Sequence, residues 1–166
     1  MKIELIQPFI NAADAVLAQT LQGNVQVRDV TMQEEVYRRK GLAASVAISG
    51  DIEGRVIFDL DRDAVLSVAR ALTGEGTEPS EQFAGETVCE LANMVVGNAI
   101  TLLNDQGFRF KVYPPELHTA ENGYAGTSKS ESLVMLFETA SGEVHMNIAL
   151  DYSRQRSLTV AEAVAQ

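Results

Sequence analysis

ETVCELANMVVGNAITLLN, residues 86–104, is the stretch around which the rest of the chain has to be arranged. On a helix turning about 100° per residue, Glu86, Glu90, Asn93, Gly97, Thr101 and Asn104 share a stripe roughly 80° wide. Between them stand Val88, Leu91, Ala92, Met94, Val95, Val96, Ala99, Ile100, Leu102 and Leu103. A helix that is apolar around most of its circumference is packed on several sides. The segment therefore predicts a central helix with one polar ribbon left open. That ribbon carries a carboxylate and an amide one turn apart, Glu90 and Asn93, and then a glycine with no side chain to block approach. It is the candidate functional surface.

Composition narrows the partners. The 166 residues suit one domain, and with 6% aromatics and no tryptophan its core must be mostly aliphatic. Thirteen basic and 23 acidic side chains give a net charge of −10. Such a surface repels phosphodiester backbones and anionic lipid headgroups, so neither nucleic acid nor a membrane surface is an expected partner. The single cysteine, Cys89, leaves no internal disulfide and fits a reducing cytoplasm. The opening MKIELIQPFINAADAV is too polar for a secretory signal, and no apolar run approaches the ~18 residues of a membrane span. A cytoplasmic location is the expectation.

Working outward from the central helix, residues 1–6 read as a short strand or lead-in. Pro8 suits the first turn of a helix. Phe9, Ala12, Ala13, Val16, Leu17 and Leu21 follow at helical spacing, and Gly23 supplies a stop. Residues 24–30 read as a strand or an extended arm, and residues 31–40 (TMQEEVYRRK) show no clear period. A hairpin is expected with strands at 44–49 and 55–60, its turn chemistry coming from Gly50, Asp51 and Gly54. Asp61 or Asp63 then caps a second helix that stops at Gly74. The loop GEGTEPS, residues 74–80, is no phosphate loop: no strand precedes it, no lysine follows, and Glu75 and Glu78 would repel an anion.

Beyond the central helix, Phe108, Phe110 and Val112 alternate as a strand broken by Pro114 and Pro115. Residues 116–132 have loop composition. A second hairpin turns at Ser141-Gly142, and its Val144, Met146, Ile148 and Leu150 alternate with polar residues, the mark of an antiparallel sheet with one wet face. Residues 153–166 are a weak helix candidate. Helix, extended arm and hairpin thus occur twice. Setting Asn11 against Asn93 puts Pro8 at the place of Glu90, so that only the second copy has the acid. The expected fold is α+β and two-layered: an antiparallel sheet packed by two long helices, with an internal pseudo-two-fold repeat in a single domain spanning 1–166.

Most site chemistries lack their residues. Only two histidines occur, His118 in the loop and His145 on an outward strand face, so no zinc-ligand spacing exists. No GxSxG, P-loop or kinase signature is present, and no partner is evident for a nucleophile system built on His118. Cys89, at the edge of the ribbon, reads first as a small buried hydrophobe. Glu90 and Asn93 remain. At i and i+3 their tips reach the same few ångströms of space. An amide both donates and accepts, so it can hold a water in a fixed direction, and a carboxylate can grip a partner's lysine. The pair suits a reaction whose electrophile is already activated and whose water must be aimed. A solvated charge beside an incidental surface amide is the plain alternative.

Glu90-Leu-Ala-Asn93-Met-Val-Val-Gly97-Asn98-Ala99 resembles the signature helix of the CheC/CheX group of bacterial chemotaxis phosphatases, and the repeated layout resembles that family's pseudo-symmetry. One motif, in the second half only, is closer to CheX than to CheC. The resemblance implies removal of the phosphoryl group from the aspartate of a phosphorylated CheY-type receiver domain. It implies that Asn93 positions the attacking water and Glu90 ion-pairs with the receiver's phosphate-site lysine. Glu86, Met94 and Gly97 would contact the partner, Gly97 letting its backbone come close. The Mg²⁺ would belong to the receiver, leaving this chain without a metal or cofactor of its own. A homodimer joined through sheet edges is implied as well. Two departures stand out: Glu86 occupies a position that is often Asp or Ser, and Pro114 or Pro115 only approximates a family proline. The alternative on the same fold is a non-catalytic receiver-binding or flagellar-switch-like adaptor.

Overall fold

In the computed structural model, residues 2–21, 23–34, 36–74, 80–118 and 131–153 are described. Three helices form where the apolar spacing calls for them: α1 (Ile3–Leu21), α2 (Arg62–Thr73) and α3 (Glu81–Asp105). Helix α1 begins at Ile3, so residues 3–6 are helical rather than a strand or lead-in. Leu5 and Ile6 are buried, which is what draws them into the helix. Asp61 caps α2 by accepting from Ala64 N at 2.8 Å, and its other oxygen accepts from Glu143 N at 2.9 Å. One carboxylate thus starts the helix and fastens it to the last strand. Ser80 caps α3, accepting from Phe83 N at 3.2 Å.

The strands are β1 (Val25–Gln33), β2 (Leu42–Gly50), β3 (Ile52–Leu60), β4 (Phe110–Val112), β5 (Glu116–His118), β6 (Ser132–Thr139) and β7 (Gly142–Tyr152). They make one seven-stranded sheet in the order β1-β6-β7-β3-β2-β4, with β5 also paired to β2. Every described pairing is antiparallel. Both expected hairpins are present, β2–β3 and β6–β7, and their second strands pair with each other at the centre. Gly54 is not in the turn, which is made by Gly50 and Asp51. It lies within β3 at φ 141°, and a Cβ there would sit 1.9 Å from the Ala149 carbonyl oxygen, so only glycine fits against β7. Residues 108–109 stay outside β4, and 116–118 are the strand β5 rather than loop. The remainder of that loop, 119–130, and the candidate helix over 154–166 lie outside the described residues.

All three helices pack on one face. Ala44, Val46 and Ile48, Val56, Phe58 and Leu60, and Val144, Met146 and Ile148 share one buried cluster with Phe9, Leu17, Val65, Leu91 and Val95. This is the expected two-layer solution. Tyr152 shows how the long helices run. Its ring stacks on Phe108, just past the end of α3, with centroids 6.0 Å apart, and its hydroxyl donates to Glu4 in the first turn of α1 at 2.9 Å. The start of α1 thus lies by the end of α3, and the two helices are antiparallel.

The opposite face of the sheet is partly covered and combines a small apolar cluster, Tyr37, Ala43, Ile57 and Val134, with a set of buried polar side chains. Asp59, 1% exposed, accepts from Tyr37 OH at 2.8 Å, Lys40 N at 2.6 Å and Gly41 N at 2.8 Å, clamping residues 37–41 over the strands. Buried Asn147 accepts from Arg55 and donates to Ser132 Oγ. Burial and the neighbouring Asp59 carboxylate push the Tyr37 hydroxyl pKa upward, so it stays protonated and donating.

Candidate functional site

The ribbon on α3 stands open as its spacing predicts. Glu86, Glu90, Asn93, Gly97, Thr101 and Asn104 are all exposed, while Val88, Leu91, Ala92, Val95, Val96, Ala99 and Leu103 are buried against α1, α2 and the sheet. The buried arc fixes the rotation of the helix, and the rotation aims the stripe away from the sheet. Glu90 and Asn93 sit one turn apart at its centre. Among the described residues neither side chain has a hydrogen-bond partner, which leaves the carboxylate and the amide available to something outside the chain.

Their neighbours differ in commitment. Glu86 accepts from Gln82 Nε2 at 3.2 Å, a local helix-surface contact, and Thr101 Oγ1 donates back to the Gly97 carbonyl at 3.1 Å. Met94 is half-buried and packs against the core, so it borders the stripe rather than standing on it. A Cβ on Gly97 would meet nothing within 4 Å, whereas one on Gly85 would lie 2.7 Å from Leu117 Cδ2. Packing within the chain explains the glycine at 85. It gives no reason for the glycine at 97, whose open surface keeps the backbone approachable. Cys89 is half-buried and its thiol pKa is raised by desolvation, so it rests as a neutral thiol and not as a nucleophilic thiolate.

The histidines lie elsewhere. His118, on β5, does have a partner: Ser45 Oγ lies 2.7 Å from its Nε2. Sequence spacing could not show this contact, because β5 reaches β2 only through sheet pairing. Ser45 alternates with the buried Ala44 and Val46, so the pair sits on the face turned away from the helices and cannot join the α3 stripe. His145 occupies that same face. Desolvation lowers the pKa of both imidazoles. Among the described residues no group of three His, Cys, Asp or Glu side chains is placed to hold a metal ion, and no helix is long and apolar enough to cross a membrane. A groove of about 290 Å³ between the starts of α2 and α3, lined by Leu42, Leu60, Val65 and Ala84 among others, shares no residue with the stripe.

Burial also corrects the register of the internal repeat. Pro8 is buried and Glu90 exposed, so the two are not equivalent. Residues 7–17 of α1 and 86–96 of α3 instead follow one burial pattern, departing only where exposed Ala15 stands against half-buried Met94. Asn11 then corresponds to Glu90 and Asp14 to Asn93. The acid at the position of Glu90 is still confined to α3.

The comparisons with known proteins agree with this fold. The family model for chemotaxis phosphatase CheX matches residues 42–138, which span β2 to β6 and contain all of α3. No curated protein matches the sequence closely enough to count as a relative. Among solved structures, CheX of Borrelia burgdorferi, in a complex with CheY, BeF3 and Mg²⁺, is 29% identical at a TM-score of 0.73, over 90% of this chain and 99% of that one. A CheC-like superfamily protein from Shewanella is 21% identical at a TM-score of 0.79, over 91% and 99%. CheX from Vibrio vulnificus is 20% identical at 0.75, over 89% and 99%. With the family match covering more than half of its length and the same fold throughout, the chain belongs to the chemotaxis phosphatase CheX family.

Proposed function

We propose that this protein hydrolyses the aspartyl-phosphate of a CheY-type receiver domain, with α3 inserted at the receiver's phosphorylation site. The observation that carries the reading is the pair Glu90 and Asn93, exposed, one turn apart and without partners among the described residues, beside the open Gly97. The Borrelia CheX structure, solved with CheY, BeF3 and Mg²⁺, supports a CheY-like partner. Beryllium trifluoride imitates a phosphoryl group, so the phosphorylated receiver is the form expected to dock.

In the step so assigned, the Asn93 amide holds a water in line with the phosphorus. The water oxygen forms the new P–O bond as the bond to the receiver's aspartate breaks. Inorganic phosphate leaves, the carboxylate is regenerated, and the water's proton goes to solvent or to the phosphate. Glu90 pairs with the receiver's lysine and sets the approach of the two proteins. Glu86, Met94 and Gly97 complete the contact surface. The charge developing on the phosphoryl oxygens is met by the receiver's own Mg²⁺, so the work left to this chain is positioning.

A sheet-edge homodimer belongs to the same reading. Strand β1 pairs with β6 on one side, and Val27, Val30 and Met32 on it are 45%, 52% and 54% exposed. An edge strand carrying apolar side chains is a template for pairing with another strand. The deciding experiment for hydrolysis is phosphate release from a panel of host receivers phosphorylated by a small-molecule donor, with and without this protein. Acceleration for one receiver, lost in Asn93→Ala, is the expected result. Binding of the phosphorylated receiver with decay at its intrinsic rate would sink the enzyme and leave an adaptor.

A further inference from the structure

Arg55 is a cation to which the fold gives no counter-charge. It lies on the sheet face turned away from the helices, opposite Ala47 of β2, and is half-buried. Its hydrogen-bond partner among the described residues is neutral. Nη1 donates to Asn147 Oδ1, and Asn147 is held in turn by its bond to Ser132 Oγ at 2.8 Å. No carboxylate among the described residues is bonded to the guanidinium, in a chain with 23 acidic side chains. Burial pulls its pKa down, opposed by Tyr37, yet a guanidinium stays charged at neutral pH. A desolvated charge without a counter-charge is costly, and an anion placed against it removes that cost. A second set of donors lies beside it. Ser45, two residues before Ala47 on the same face of β2, has its Oγ 2.7 Å from His118 Nε2. In either tautomer the neutral pair uses only one of its hydrogens internally, so a donor is left over, Nδ1–H or the serine hydroxyl. The ring also lies within range of two guanidinium charges: burial first disfavours its protonation, Glu116 opposes this, and Arg39 and Arg55 add to it. Glu116, opposite Ser45 on β5, is exposed and solvated, whereas Arg55 is half-buried.

We infer that Arg55, Ser45 and His118 form a binding site for a small phosphate-type oxyanion, across the sheet from α3 and independent of the receiver chemistry proposed above. The guanidinium takes anion oxygens through its planar fork, and the Ser45–His118 pair donates to another oxygen of the same ion. A carboxylate is satisfied by the fork alone and leaves the second donor idle. A tetrahedral oxyanion uses both. The bound anion also sets a negative charge against Arg55 and Arg39, which reverses the balance at His118. Ring protonation and anion binding therefore favour each other.

The test follows the His118 ring by proton NMR in the full chain, with the His145 signals identified from His145→Gln. Inorganic phosphate, glycerol 2-phosphate or chloride is added at constant ionic strength. A saturable shift of the His118 signals with phosphate is expected, together with an upward move of the ring's titration midpoint, and chloride should produce neither. A response to inorganic phosphate alone assigns the site to the free ion, and a response to the ester as well assigns it to phosphorylated small molecules. Arg55→Gln keeps a donor for Asn147 and should weaken binding about tenfold or more, because hydrogen bonds from a charged group are lost. Arg55→Lys keeps the charge without the fork and should bind more weakly than wild type while folding normally. Glu90→Ala/Asn93→Ala should bind phosphate as wild type does, which separates this site from the α3 stripe. The inference is overturned by the absence of a saturable shift, by an equal response to chloride, or by wild-type binding in both Arg55 variants.

Discussion

The two faces of this protein treat polar groups in opposite ways. On the sheet face turned away from the helices, Asp59, Asn147 and Ser132 are 1%, 0% and 0% exposed, and each has hydrogen-bond partners within the chain. On α3, Glu90 and Asn93 are exposed and have no partner among the described residues. A buried polar group must be satisfied internally, because desolvating it without a partner is costly. An exposed one is satisfied by water and is free to exchange that water for a partner protein. Polar residues that hold the fold are thus recognised by being spent. Those that act on something else are recognised by being left open on a rigid element.

The contrast breaks most visibly on the clamped face. Asp59→Ala removes one acceptor and strands three donors, Tyr37 OH, Lys40 N and Gly41 N. A loss of about 3–5 kcal/mol is expected, a large share of the stability of a domain this size, read as a drop in the urea midpoint. The α3 stripe is untouched, so phosphate release per folded molecule should hold. Asn93→Ala inverts both outcomes. Unfolding should move by no more than about 0.5 kcal/mol, since an exposed helix position is being changed to a good helix former. Accelerated phosphate release should fall about a hundredfold, equivalent to about 2.7 kcal/mol of barrier. If Asn93→Ala is as active as wild type, the amide does not aim the water.

How much of this was legible before the fold was known follows the same division. The stripe was, because helical periodicity alone determines which side chains share a face, and all six residues assigned to it are exposed. Both hairpins were legible from alternation and turn chemistry, and the cap of α2 was legible as one of two residues, Asp61 or Asp63, of which Asp61 is the one that accepts. What escaped depends on contacts between distant strands. The Ser45–His118 pair joins residues 73 apart, through a strand of three residues whose sequence resembles loop. Gly54 resembles a turn glycine, and only the closeness of β7 shows why it is there. The repeat was legible as an order of elements, but its register was not: Pro8 resembles a surface helix start and is instead buried in α1.

Smaller effects sharpen the contrast. Glu90→Ala should weaken receiver binding about tenfold, or about 1.4 kcal/mol, and Glu90→Lys more, by setting a cation against the receiver's lysine. The signature to check is ionic strength. Wild-type affinity should fall as salt is raised, while the Glu90→Ala variant should lose much of that slope, because a solvent-accessible ion pair is screened. Equal slopes for the two proteins would remove the ion pair from the mechanism.

The smallest effect comes from His145 on the clamped face. Its imidazole pKa lies below the ordinary 6.5, first because burial disfavours the charged ring and next because Lys40 is near. Asp59, Glu143 and Asp61 pull in the other direction without cancelling the shift. The unfolded chain therefore binds this proton at a higher pH than the folded one. Above the ordinary pKa both states are neutral there and stability is unaffected. As the pH falls below 6.5 the unfolded chain is protonated first, so stability declines until the folded pKa is passed and then levels off. His145→Gln keeps a polar side chain that does not titrate, and should flatten part of this decline in urea midpoints measured between pH 7 and 5. His118, shifted in the same direction, supplies another part. An unchanged profile in His145→Gln would mean that the buried proton site lies elsewhere on the sheet. Neither imidazole is near the α3 stripe, so the pH dependence of phosphate release, measured where the protein stays folded, should be the same for His145→Gln and wild type.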